Sequence, residues 1–148
     1  MVRVNECAAR VRRAGRLPPV GWRAVDRGHP PLTPLPRFRV SHAQRGRVRV
    51  VEVDGDVDML TAPALAGTAC DDGSFDGVVL DLAKVRFMSL TGVRVIFSLS
   101  RMLSRRGGGV ALACVHRDVA RVLEMSGLAG TLLIADDVPA AVRLLETS

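Results

Sequence analysis

The chain has no tyrosine, a single tryptophan (Trp22) and only four phenylalanines in 148 residues. Its core must therefore be aliphatic, built from Val, Leu and Ala, which suits helices layered on a sheet better than an aromatic-filled barrel. Lysine is nearly missing too, since Lys84 stands alone against twenty arginines. The three cysteines, Cys7, Cys70 and Cys114, lie far apart with no CxxC pair. So sparse and odd a count excludes a disulfide framework and points to a reducing compartment. Cys70 and Cys114 read as small buried apolar residues, and nothing in their spacing assigns them a redox role. No apolar run reaches the ~18 residues of a membrane-spanning helix. The N-terminus also lacks the apolar stretch of a secretory signal. The expectation is a cytoplasmic protein with no membrane span.

Enzyme signatures are missing in the same way. GxSxG, HExxH and GxxxxGK[ST] do not occur, and His29, His42 and His116 have no partner at nucleophile or metal spacing. Asp54, Asp56 and Asp58 alternate along a strand and turn, which scatters their carboxylates, so they read as a solvated acidic edge. No enzyme, cofactor or metal is expected.

Charge is present but unevenly placed. Residues 1–50 hold twelve arginines against Glu6 and Asp26, a balance of +10, while residues 51–148 hold nine basic and thirteen acidic groups, a balance of −4. Six of the eight prolines fall between Pro18 and Pro36. That density removes backbone donors and blocks regular structure. Residues 1–36 thus read as an unstructured basic extension, with a short helix over residues 4–14 as the one candidate element (Val4, Cys7, Ala8 and Val11 on one face). Such an arm can touch phosphates, but it has neither aromatics for stacking nor a reading helix, so no specific nucleic acid is expected.

From Arg37 onward the pattern is regular. Phe38, Val40, Val48, Val50 and Val53 alternate with polar residues as in half-buried strands, with a turn near Gly46. Thr61 reads as the cap of a short helix that takes Pro63 in its first turn. Residues 77–82 (GVVLDL) form an apolar run of strand length, as in a strand buried on both faces. A helix over residues 91–106 carries Gly92, Val95, Ile96, Leu99, Met102 and Leu103 as one apolar stripe and ends at Gly107. Then follow a strand at 110–115, a helix at 118–126 stopped by Gly127, a strand at 132–135, and a last helix behind Asp136 and Asp137. Strand and helix in alternation imply parallel strands with crossover helices, an α/β fold.

Several segments now resemble one family. GDVD at 55–58 with TAPAL at 61–65, VVLDLAKVRFM at 78–88, Gly92-Val93, and RRGGGVALACVHRDVARVLEMSGL at 105–128 are similar, in order and spacing, to the STAS domain, specifically the bacterial anti-sigma factor antagonists. The resemblance covers residues 37–148. It implies a small mixed β-sheet with about four helices packed on it, and a non-enzymatic regulator of transcription. It also implies a partner, an anti-sigma factor with a histidine-kinase-like ATPase fold, and leaves a homodimer open. STAS domains also serve as accessory subunits of membrane transporters, which is the alternative function.

In the family's usual member the turn before the second helix reads Asp-Ser-Ser/Thr-Gly, and its first serine is phosphorylated to abolish binding. Here Ser89 stands where the aspartate would be and Leu90 where the phosphoacceptor would be, while Thr91 and Gly92 match. The expected docking face is Met88, Ser89, Leu90, Thr91, Gly92 and Arg94, with Asp56 and Asp58 from the facing loop. The usual switch cannot operate through leucine. Thr91 and Ser89 are the remaining phosphorylation candidates, although helix capping is the simpler role for both hydroxyls.

Overall fold

The computed structural model of the protein describes residues 38–70 and 74–148. The expected basic extension over residues 1–36, its helix at 4–14 and Cys7 lie outside those residues. A two-residue turn joins β1 (Arg39–Arg45) to β2 (Val48–Asp54), with Gly46 at φ +60°, a conformation that suits hairpin turns and favours glycine. The chain continues through α1 (Ala62–Ala69), β3 (Gly77–Lys84), α2 (Leu90–Ser104), β4 (Gly109–Ala113), α3 (Arg117–Met125), a 3₁₀ turn (Ala129–Thr131), β5 (Leu133–Ala135) and α4 (Val138–Glu146). Among the described residues this is a mixed five-stranded sheet with four helices, the architecture the family resemblance implies.

The strands lie in chain order, with β1 antiparallel to β2 and all later pairs parallel. Three successive crossovers in one direction place α1, α2 and α3 on a single face, because such connections share one hand. Their buried side chains (Leu65, Ile96, Leu103, Val119 and Leu123 among them) pack with Val51, Val53, Val78, Leu80 and Leu82 into the main core. The opposite face is thinner. There Val48, Val79, Ala111 and Ala113 meet Ala141 of α4. β3 is thus buried on both sides, as its unbroken apolar run demands.

Two expected stripes shift in detail. In α2 the fully covered residues are Gly92, Val93, Ile96, Leu99 and Leu103, whereas Val95 and Met102 lie at the stripe's margin. The helix begins one residue earlier than expected, and Val93, three residues before Ile96 on the same face, is covered with it. In β2 the valines divide between the faces: Val51 and Val53 enter the main core, Val48 and Val50 the smaller one. Both faces of β2 are covered, so simple alternation fails there.

Arg49 is buried in this apolar setting. Its guanidinium lies 4.1 Å from the ring centroid of Phe75 and donates to the Thr68 carbonyl at 3.1 Å, tying the C-terminal end of α1 to the sheet. At the other end of the strands the chain enters the region where the candidate site is built.

Candidate docking face

The stretch following β3 does not fold back on its own; it is held by the loop that follows β2. Gly55 N donates to the Lys84 carbonyl at 3.2 Å, Val57 N to Phe87 O at 3.0 Å, and Ser89 N to Val57 O at 2.8 Å. Val57 and Met88 form a parallel bridge. The Gly55–Asp58 loop and the Phe87–Gly92 turn therefore form one rigid ledge at the carboxyl ends of β2 and β3. Gly55 enters it at φ +111°, a conformation only glycine adopts without strain.

Within the ledge, Asp58 acts as a brace. Its carboxylate accepts from Leu60 N at 2.8 Å and Thr61 N at 2.9 Å, while the Thr61 hydroxyl donates to Asp56 O at 2.8 Å and accepts from Asp58 N at 2.8 Å. Two sequence expectations need correcting here. Thr61 sits at the helix N-cap position without a side-chain cap bond, because its hydroxyl is spent on the preceding loop. Asp58 is not part of a solvated acidic edge, because amides of the following turn engage its carboxylate. Among the described residues no His, Cys, Asp and Glu side chains gather into a metal-binding group.

These bonds, led by the one from Thr61 N, hold the Asp58 carboxyl below its usual pKa, against the opposing effect of burial. A depressed folded-state pKa means stability that is present above the ordinary carboxylate range and lost as pH falls through the lowered value. Acidification below about pH 4 should therefore loosen residues 58–61 ahead of the core. Hydrogen exchange of the Leu60 and Thr61 amides checks this. They should lose protection in acid while those of β3 keep theirs, and Asp58→Asn should show the loss at neutral pH.

α2 begins at the far side of the ledge. Ser89 is its N-cap, extended at φ −80° and ψ 167°, and its hydroxyl accepts from Gly92 N at 3.4 Å. Thr91 lies inside the first turn, beyond the capping position, and is half-buried. Gly92 is there for closeness, since a Cβ would come within 2.7 Å of Val57 Cγ1 and 2.9 Å of Met88 Cγ. Met88 is 1% exposed, so it belongs to the core and offers a partner almost no surface of its own. Asp56 and Asp58 are half-buried, and Arg94 projects from the first turn of α2.

What the ledge shows to solvent is apolar. Met59, Leu60, Phe87 and Leu90 are 72%, 78%, 52% and 63% exposed. They flank the backbone bonds that join the two segments. Leu90 belongs to the expected set. Met59, Leu60 and Phe87 do not, because apolar residues beside a buried strand read as core until the loop path is known. Their sequence signal is slight: Met59-Leu60 precedes the helix and falls outside any periodic stripe.

Near the same end of the sheet, Cys114 takes φ +56° and is half-buried. Burial, with the Asp81, Asp137 and Asp136 carboxylates nearby, holds its thiol above the ordinary range. That protonated thiol is a poor nucleophile. Cys70 is buried, as expected.

Comparison with known proteins gives this geometry a context. A curated relative, the anti-sigma F factor antagonist of Paenibacillus polymyxa, is 29% identical over 102 residues, spanning 67% of this chain and 87% of that protein. An anti-sigma factor antagonist from Mycobacterium paratuberculosis has a crystal structure that superposes with a TM-score of 0.66 at 24% identity, covering 78% and 99% of the two chains. A sulfate transporter family protein from Wolinella succinogenes shares the fold at a TM-score of 0.62 and 17% identity, over 71% and 89%. No helix among the described residues is long and apolar enough to cross a membrane. Residues 39–141 match the STAS domain model, and the chain belongs to the STAS domain family.

Proposed function

We propose that this protein is a non-enzymatic regulator that binds an anti-sigma factor of the histidine-kinase-like ATPase kind through the ledge, in the cytosol, and thereby frees a sigma factor. The observation that carries this reading is the set of four exposed apolar side chains around the α2 start. Monomeric surfaces rarely leave such groups clustered without use. The name of the Paenibacillus relative supports the choice of partner. Exposed Arg94 adds a cation beside the patch that can steer an acidic counterpart.

Regulation is predicted to differ from a serine-switched binder. A phosphate at the helix start would bring a charge of about −2 onto the apolar patch, but Leu90 has no hydroxyl to carry it. Binding at this turn is therefore constitutive. The test is a calorimetric titration with purified kinase-type anti-sigma factors, paired with incubation in ATP and measurement of intact mass. Binding should persist without a mass gain, and Leu90→Ser should gain one phosphate and lose binding. A stoichiometric phosphate on Thr91 or Ser89 with loss of binding overturns the constitutive reading. No binding to any such factor, together with capture of a permease from membranes, overturns the function in favour of a transporter-associated role.

A further inference from the structure

We infer that the docking face continues beyond the ledge, and that the exposed side of α2 is a basic rail that captures a carboxylate-bearing strip on the anti-sigma factor. The inference rests on the partner reading above and names the chemistry of the surface that partner presents. Its first support is a local imbalance of charge. Residues 82–117 hold seven basic side chains and no carboxylate, whereas residues 51–148 as a whole carry nine basic and thirteen acidic groups.

α2 sorts these charges onto one side. Gly92, Val93, Ile96, Leu99 and Leu103 face the core. Opposite them, at three- and four-residue spacing, stand Leu90, Arg94, Ser98, Arg101 and Arg105, all exposed. The rail therefore starts at the ledge residue Leu90 and carries cations over roughly 16 Å from Arg94 to Arg105, at ~1.5 Å per residue. Arg101 is held in place, with its guanidinium 5.8 Å from the centroid of the Phe97 ring. Among the described residues Arg94, Arg101 and Arg105 have no ion-pair partner, while Lys84 is bonded to Glu52 and Arg47 to Asp76.

The neighbouring elements leave this charge standing. α1, packed against α2, has no charged residue. α3 contributes exposed Arg117 and Arg121 against exposed Asp118 and Glu124, a balanced set. At the ledge, exposed Arg86 adds a cation, Asp56 and Asp58 are half-buried, and the Asp58 carboxylate is engaged by amides. Glu52, Asp54 and Asp81 alternate with residues of the main core and leave from the α4 side of the sheet. The occupant this surface fits is a protein. A helix lying on a lipid surface needs apolar side chains along its exposed side, and after Leu90 α2 leaves no large one exposed. A nucleic acid would meet the arginines through its phosphates but leave Met59, Leu60, Phe87 and Leu90 unmatched. Charges at the rim of a contact act chiefly on encounter, and buried apolar anchors on its lifetime. The rail thus speeds association, and the ledge slows release.

Association and dissociation rates of the full-length protein with purified kinase-type anti-sigma factors test this. At about 0.01 M salt, where charges act over about 30 Å, Arg101→Glu combined with Arg105→Glu should slow association about tenfold or more and leave release near the parent's. At about 1 M salt, where charges act over about 3 Å, the difference should vanish. Arg101→Gln with Arg105→Gln, which places no acid at the negative end of the α2 dipole, should show an intermediate loss at an unchanged melting temperature. A control pair, Arg45→Glu with Arg143→Glu, makes the same change in net charge on β1 and α4 and should slow association far less. Association of the reversed pair at the parent's rate, with a factor that Leu90→Asp fails to hold, overturns the rail and leaves the partner reading intact. Equal slowing by the control pair overturns the rail as well, because the effect then belongs to net charge. A parent that binds no such factor overturns both, whether or not the rail then holds phosphatidylserine vesicles or duplex DNA.

Discussion

Gly108→Ala should be the most damaging single methyl in the described fold. Gly108 stands between the end of α2 and β4, and a Cβ there would overlap the carbonyl oxygen of Asp76, with the Asp76 Cα at 3.2 Å. That carbonyl cannot step aside. It accepts Gly109 N at 3.2 Å, while Asp76 N donates to Arg47 O at 2.9 Å and the Asp76 side chain pairs with Arg47. Three strands, β2, β3 and β4, start from this knot. Making room means separating them where their register is set, and Gly108 N also closes α2 by donating to Leu103 O at 2.9 Å.

Overpacking of a side chain costs typically 1–3 kcal/mol; overlap with fixed backbone lies at or above the top of that range. A loss of about 3 kcal/mol corresponds to a melting point lower by more than ~10 °C in a domain of this size. Thermal denaturation followed by circular dichroism measures it. Two controls make the cause specific. Gly109→Ala meets only Leu145 Cδ2 at 3.4 Å, and Gly130→Ala meets nothing within 4 Å, so both should melt near the parent. If Gly108→Ala melts with them, the knot is not rigid.

Leu90→Asp should have the largest effect on binding and almost none on folding. The side chain is exposed, so its replacement leaves the core intact. It occupies the first helical position of α2, where a carboxylate meets the positive end of the helix dipole and stabilises the start by about 0.3–1 kcal/mol. Against a partner the balance reverses. Removing a buried leucine from the contact forfeits roughly 1.5–3 kcal/mol, and the new charge must be stripped of water as well. Affinity for the proposed anti-sigma factor partner should fall at least tenfold and up to about a hundredfold, with an unchanged or slightly higher melting temperature. A variant that binds like the parent would remove Leu90 from the contact surface.

Much of the fold is legible in the sequence because its signals are local. The apolar run at 77–82 marks a strand covered on both faces, and the structure buries it so. Asp137 accepts from Ala140 N at 2.7 Å as the cap of α4, and Gly107 and Gly127 take positive φ where α2 and α3 end. Each of these depends on neighbours within a few residues. The features that escape are those made by distant partners. The Thr61 hydroxyl is diverted from its helix by Asp56 and Asp58, and the guanidinium of Arg49 finds Phe75 and Thr68 across the chain. The apolar character of the ledge escapes for the same reason. Only the bonds between Val57 and the residues around Met88 turn Met59, Leu60 and Phe87 outward together.

Those bonds also set when the ledge can form. The ledge is stitched from residues about thirty positions apart, and its hydrogen bonds continue the parallel pairing of β2 with β3. Such long-range parallel pairing closes late, because the intervening loop must be ordered before the contacts form. A nascent or partly unfolded chain holds the same leucines but not their arrangement. If the ledge is the docking surface proposed above, recognition is thereby conditional on completed folding, since a copy that has not closed these bonds presents no such surface.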